Sequence, residues 1–321
     1  MKVVITRPIP EIGVKVLSDV LGAESILMLP QDGPLPREAL LENINGASAI
    51  MSMLSDRMDG EAMDAAGPQL KIVANFAVGY DNIDIAAAQQ RGIHATNTPG
   101  VLTEATADLA WTLIMSAARR VGEGERFLRQ GLWDGWGPQQ LLGVSLYGQT
   151  LGIFGMGRIG QAVARRGRGF DMPVIYHDAN RLDADKEAAL NATYVNKETL
   201  LCEADILSIH CPLTPETRHA FTLSEFQRMK AAAVVVNTAR GPVIKEEDLC
   251  KALQERLIFA AGLDVYEHEP EVYEALLQQE NVVLLPHLGS ATVETRNAMA
   301  HTAATNILAA LDGACPPNCI Q

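Results

Sequence analysis

Short apolar runs recur along the chain at intervals the length of a helix, and this recurrence limits the fold more than any other feature. VVIT (3–6), ASAIMSM (47–53) and LKIVANF (70–76) are separated by segments such as PREALLENI and DGEAMDAA, whose apolar residues return about every 3.6 positions. From residue 150 the alternation resumes with TLGIFGMG, MPVIYHD, ADILSIHC, AAVVVNTA, FAAGLDV and NVVLLPH. Such near-continuous runs suit strands buried on both faces, and strand–helix alternation builds parallel sheets covered by helices. The expected class is α/β, with two doubly wound parallel-sheet domains of Rossmann or flavodoxin type. A length of 321 residues accommodates two cores, since single cores stop growing near about 250–300 residues.

Two helices stand apart from the alternation. TEATADLAWTLIMSAARRV (103–121) has no internal Gly or Pro and a Thr that can cap its start, so one long helix joining the domains is expected. ATVETRNAMAHTAATNILAALDG is a second, ended by Gly313, with no strands after it. It is expected to pack back on the first domain, which makes that domain discontinuous.

Bulk properties exclude several functions. The formal net charge of −13 gives an acidic surface, which repels nucleic acid. No segment approaches the ~18–20 apolar residues of a membrane span, and MKVVITRPIPEIG lacks the basic start, apolar run and cleavage site of a signal peptide. A cytoplasmic protein without nucleic-acid or membrane partners is expected. Cys202, Cys211, Cys250, Cys315 and Cys319 are scattered and form no CxxC pair, so buried thiols and no metal site are expected.

The run LGIFGMGRIG (151–160) breaks into G-x-G-x-x-G between a strand and a helix. Gly155, Gly157 and Gly160 there allow a tight turn, close approach to a pyrophosphate and helix–strand packing, while the helix N-terminus attracts the anion. Such loops also occur at ordinary strand-to-helix turns, so a partner is needed. Asp178 ends the next strand near the ~20-residue spacing at which a carboxylate accepts both ribose hydroxyls. That charge repels a 2′-phosphate, and Ala179 and Asn180 follow it, although Arg181 is close. NAD(H) is therefore expected over NADP(H), with NADP(H) possible.

Ligands in doubly wound sheets gather beyond the carboxyl ends of strands, and three polar residues end apolar runs there. Arg240 follows AAVVVNTA, where a two-pronged donor could grip a carboxylate. His287 follows NVVLLP and, alone of the seven histidines, combines a strand end, a Pro and a small-residue turn. It is suited to proton transfer near neutral pH. Glu269 in YEHEP could orient that imidazole, with Glu267 as its competitor. Taken singly, a strand-end Arg is more often ion-paired and a His more often structural.

Together, NFAVGYDNID, GMGRIG, NTARGPVI, AAGLDVYEHEP and LLPHLGSAT follow one another in the order and spacing of the D-isomer-specific 2-hydroxyacid dehydrogenase family, which the whole chain resembles. The resemblance implies a substrate domain of residues 1–99 and 289–321, with an NAD(P)-binding Rossmann domain, 100–288, inserted between. It implies a 2-oxoacid held between the domains by the N–H groups of Val78 and Gly79 and by Arg240, with Leu54 lining the pocket. It also implies hydride transfer between the nicotinamide and C2, with His287, held by Glu269, exchanging a proton with the substrate oxygen. Gly155, Gly157, Arg158, Ile159 and Asp178 then match coenzyme positions, as do Thr106, Cys211, Pro212, Thr217, Thr238, Ala239, Asp264, His287 and Gly289. Domain closure with hinges near 98–100 and 289–290 is implied, as is a homodimer pairing through 103–121 and the arm at 133–136.

WDGWGPQQLLGVSLYGQTLGIFGMGRIG and LLPHLGSATVETRNAMA most resemble the glyoxylate/hydroxypyruvate reductase branch, which implies a small 2-oxoacid substrate. Three alternatives stay open, the first being another 2-hydroxyacid dehydrogenase of the same family. Phosphite oxidation uses the same Arg, Glu and His, and dinucleotide-sensing corepressors share the fold but need no proton-transfer set.

Overall fold

A computed structural model of the chain describes residues 1–320. They divide into two compact units, residues 1–102 with 290–320, and Thr103–Gly289. This division leaves residues 100–102 with the first unit and Gly289 with the second.

In the first unit, strands β1 (Val3–Ile5), β2 (Ile26–Met28), β3 (Ala49–Ser52), β4 (Ile72–Asn75) and β5 (His94–Thr96) form a parallel sheet of order β2-β1-β3-β4-β5. That is the flavodoxin-like order, with its switch point between β1 and β3. Helices α1 (Glu11–Leu21), α2 (Arg37–Ile44), α3 (Gly60–Ala66) and α4 (Ile85–Gln90) connect the strands. The C-terminal helix, Val293–Leu311, is capped by the Thr292 side chain and packs on α1, β3, β4 and β5, as its lack of following strands requires. Its seam with α1 is tight: a Cβ on Gly13 would lie 2.8 Å from the Ala300 Cβ.

In the second unit, β6 (Leu151–Phe154), β7 (Val174–His177), β8 (Ala192–Tyr194), β9 (Ile206–Ile209), β10 (Val234–Asn237), β11 (Ala260–Leu263) and β12 (Val282–Leu284) form a parallel sheet of order β12-β11-β10-β9-β6-β7-β8. The strand order reverses between β6 and β9, where such sheets bind ligands. Helices α5 (Thr103–Ala118), α6 (Val121–Arg129), α7 (Arg158–Gly167), α8 (Ala184–Leu190), α9 (Lys197–Glu203), α10 (Leu223–Phe226), α11 (Glu246–Gln254) and α12 (Glu274–Leu277) complete it. Two buried clusters sandwich the sheet, one around Leu207, Phe221 and Val235, the other around Trp111, Ile153 and Tyr176. No helix of the described residues is long and apolar enough to cross a membrane.

Three expectations need correction. The helix expected over 103–121 stops at Ala118, because Arg120 turns into the left-handed region (φ 53°) and α6 restarts at Val121. Of the thiols expected to be buried, only Cys211 and Cys250 are. Cys202 lies on the outer side of α9, Cys315 is exposed in the tail, and Cys319 is half-buried. Strands β2, β5 and β8 add to those expected: each has three residues at a sheet edge, too few for a strand pattern to show.

Helix α5 packs against β10, β11 and β12, with Leu113 fully buried on Gly262 of β11. Leu113→Ala should destabilise this unit by about 2–5 kcal/mol through the cavity it leaves. Gly262→Ala should also lower the unfolding midpoint, since its Cβ would sit 2.9 Å from the Leu113 Cβ. Urea unfolding followed by Trp111 fluorescence measures both.

Candidate functional site

The glycine loop after β6 divides its labour by position. Gly155 has φ 97°, and a Cβ there would lie 2.5 Å from the Cys211 nitrogen. Gly160 faces the Gly155 carbonyl, 2.2 Å from where its Cβ would be. Gly157, by contrast, is exposed with open space around its Cβ position, and it precedes α7 with no side-chain cap. The first-turn N–H groups at Arg158 and Ile159 are thus presented beside an open cradle, the arrangement that receives a phosphate. Asp178, at the end of β7, is tied to this loop: one carboxylate oxygen accepts the Met156 N–H at 2.7 Å and the other the Asn180 N–H at 2.8 Å. These residues fit a dinucleotide.

The loops after β9 and β10 lie next along the sheet. Cys211 is buried, and burial chiefly, with the Asp178 charge, pushes its thiol up to about 12. Pro212 is exposed, and its carbonyl accepts the Thr217 hydroxyl at 2.7 Å. Thr238 is buried, its Oγ1 3.4 Å from His210 Nδ1. His210 itself is held neutral, since burial pushes it down to about 3. Ala239 donates its N–H to the Asn237 side chain at 3.0 Å, and Asn237 Nδ2 donates to the Arg240 carbonyl at 2.9 Å.

Arg240, Glu269 and His287 issue from the carboxyl ends of three adjacent strands, β10, β11 and β12. His287 Nδ1–H donates to Glu269 Oε2 at 2.8 Å, since an ionised carboxylate only accepts. Glu269 Oε1 takes the Tyr266 N–H at 3.1 Å. Burial pushes the Glu269 carboxyl up, but the hydrogen bond and charge of His287, the Tyr266 N–H and the Arg240 guanidinium hold it below the usual range. His287 occupies the left-handed region (φ 55°), a strain kept only where surrounding bonds over-determine it.

Asp264 supplies those bonds. This 1% exposed carboxylate accepts the Leu288 N–H at 2.6 Å and the Gly289 N–H at 2.8 Å, while its carbonyl takes the His287 N–H at 3.0 Å. Burial above all, with the Glu269 charge, raises its carboxyl against those donors and the His287 charge. Thr106 closes the same turn by donating to the Gly289 carbonyl at 3.0 Å.

Glu267, the competitor for Glu269, is engaged elsewhere. Its Oε1 accepts His219 Nε2–H at 2.6 Å, and it exchanges 2.8 Å hydrogen bonds with Glu246 in both directions, side chain to backbone N–H. This lock, which sequence reasoning missed, holds the Tyr266–Glu267 backbone where Gly241 packs, with no room for a side chain: its Cβ would fall 1.8 Å from the Tyr266 carbonyl carbon. The signal was present in the Gly after Arg240, but not which backbone it meets.

In the first unit, Leu54 follows β3 and is half-buried, its loop held by Asp56, which accepts the Met53 N–H at 2.8 Å. Val78 and Gly79 follow β4. Their carbonyls accept Asn97 Nδ2 at 2.7 Å and Asn75 Nδ2 at 2.8 Å, while their N–H groups have no acceptor among the described residues.

Two outcomes follow. Asp264→Asn leaves one of two buried N–H groups without an acceptor and should cost about 1–3 kcal/mol. It should speed hydrogen exchange at Leu288 and Gly289, read by NMR. For Glu269, a folded pKa below its unfolded value of about 4.3 gives a contribution present above that value and lost as pH falls through the folded one. A carbon-13 titration of its carboxyl should place the midpoint below 4.3.

A family model described as "D-isomer specific 2-hydroxyacid dehydrogenase, NAD binding domain" matches residues 111–289. The glyoxylate reductase of Thermococcus kodakarensis is 48% identical over 100% of this chain and 96% of its own, and that of Aeropyrum pernix 50% identical over 90% and 87%. Among solved structures, the TT0316 protein of Thermus thermophilus superposes with a TM-score of 0.91 at 43% identity, covering both chains fully. An NADPH-dependent glyoxylate/hydroxypyruvate reductase of Sinorhizobium meliloti, solved with NADP and malonate, gives a TM-score of 0.86 at 34% identity over 99% of this chain and 96% of that one. The chain belongs to the D-isomer specific 2-hydroxyacid dehydrogenase family, NAD(P)-dependent oxidoreductases acting on the CH–OH group of 2-hydroxy acids.

Proposed function

We propose that this chain reduces a small 2-oxoacid, glyoxylate or hydroxypyruvate, to the corresponding 2-hydroxy acid. The observation that carries the reading is the 2.8 Å bond from His287 Nδ1 to Glu269, set beside Arg240 at the carboxyl edge of a dinucleotide-binding sheet. The names of the relatives support the substrate.

A nicotinamide dinucleotide, when bound, supplies the hydride that reaches the substrate's C2. With Nδ1–H committed to Glu269, Nε2 is the nitrogen left to give a proton to the forming alkoxide. Arg240 binds the substrate carboxylate and offsets the negative charge that develops on the carbonyl oxygen. Within the first unit, the N–H groups of Val78 and Gly79 are candidate donors to a carboxylate, and Leu54 is a candidate contact for a substrate side chain. Gly157, Arg158 and Ile159 receive the pyrophosphate and Asp178 the adenosine ribose. The remaining positions, Thr106, Cys211, Pro212, Thr217, Thr238, Ala239, Asp264 and Gly289, are proposed to line the dinucleotide or to hold the loops that do.

We assign the chain to the cytoplasm, on its five unpaired thiols, and propose a homodimer. Leu128, Leu132, Trp133 and Trp136 are all more than half exposed, Trp136 at 84%, a patch of a kind monomers rarely leave open. Trp136→Glu should turn a dimer into a monomer in sedimentation velocity.

The activity is tested by oxidation of NADH and NADPH with glyoxylate, hydroxypyruvate, pyruvate and phenylpyruvate. One of the small 2-oxoacids should drive turnover, and His287→Ala should lower kcat/KM by about 100-fold or more, the scale of a general acid. Dinucleotide binding without turnover on any 2-oxoacid would refute the reading.

A further inference from the structure

Arg181 is the only Arg or Lys in the turn between Asp178 and Asp183, beside the position proposed for the adenosine ribose. A cation there ordinarily receives the 2′-phosphate that distinguishes NADP(H) from NAD(H). In this chain its guanidinium is already engaged. Nε donates to Glu187 Oε1 and Nη2 to Glu187 Oε2, both at 2.9 Å, a two-pronged pairing that uses the same edge a phosphate would take.

Glu187 is itself anchored from below. It lies in α8, its side chain only 13% exposed, and it accepts the hydroxyl of the buried Tyr176 at 2.7 Å. Tyr176 in turn accepts the Leu182 N–H at 2.9 Å, so the residue after Arg181 is fixed by the same phenol. The guanidinium also lies over the Tyr194 ring, 5.5 Å from its centroid. The neighbouring cation, Lys186, is paired with Asp183 at 2.7 Å. An isolated surface ion pair would count for little, but this one combines two-pronged geometry, a buried hydroxyl and a ring face.

We propose that Glu187 is a specificity-determining residue: by occupying the donor edge of Arg181 it withholds the cation of the Asp178–Asp183 turn from a 2′-phosphate and favours NADH. The inference rests on the proposed placement of the ribose at Asp178. Asp178 acts by repelling the extra phosphate, and Glu187 by denying it a partner.

Dissociation constants of NADH, NADPH, 5′-ADP and 2′,5′-ADP, measured by calorimetry on wild type, Glu187→Gln and the Glu187→Gln/Arg181→Ala double variant, test this. Glu187→Gln keeps the shape and drops the charge. It should tighten NADPH and 2′,5′-ADP by about 10-fold, the worth of roughly 1.4 kcal/mol, with NADH and 5′-ADP little changed. The double variant should lose that gain. An unchanged NADPH-to-NADH ratio in Glu187→Gln, a gain that survives loss of Arg181, or a wild type that prefers NADPH overturns the inference while leaving the dinucleotide site intact. If wild type binds neither dinucleotide, the site reading itself falls and takes this inference with it.

Discussion

Parallel pairing of β10, β11 and β12 is the constraint on which the candidate site depends. Because the three strands run the same way and are neighbours, the loops that leave them open at one edge of the sheet. Arg240, Glu269 and His287 are far apart in sequence, yet each stands in one such loop. A parallel ladder buries its strands on both faces, so this edge is where polar side chains can be placed without breaking the core.

Precision at that edge comes from backbone rather than from the reacting side chains. Asp264 gathers the N–H groups of Leu288 and Gly289 and holds His287 in a backbone region that a residue with a Cβ seldom enters. Glu246, Glu267 and His219 brace the segment leading to Glu269, and Gly241 lets the Arg240 loop pack against that segment. Carboxylates thus serve two ends here. Asp264 and Glu267 are spent on geometry, and Glu269 is left to meet an imidazole. The second switch point, between β6 and β9, follows the same economy, with two crowded glycines shaping a loop whose third stays open to a ligand.

Much of this could be read from residue order. Every apolar run named as a strand is one, since a run that must be buried on both faces is conspicuous, and the C-terminal helix packs where its lack of following strands implied. Edge strands β2, β5 and β8 escaped because three residues are too few for a strand pattern to show. The end of α5 escaped because nothing in SAARRV marks the left-handed Arg120. Cys202 and Cys315 were misjudged because a thiol's burial depends on which side of a helix or tail it falls.

By itself, then, the sequence determined the class of fold, the two parallel sheets, the family and the identity of the strand-end residues, because periodicity and motif order are properties of the chain taken in one dimension. Only the tertiary structure decided what engages Glu267 while Glu269, the glutamate that the motifs single out, meets His287, what holds that histidine in a strained turn, and that Glu187 takes the donor edge of a guanidinium otherwise open to solvent. Those choices depend on contacts between segments brought together by the sheet, at distances of about 3 Å that spacing along the chain does not encode.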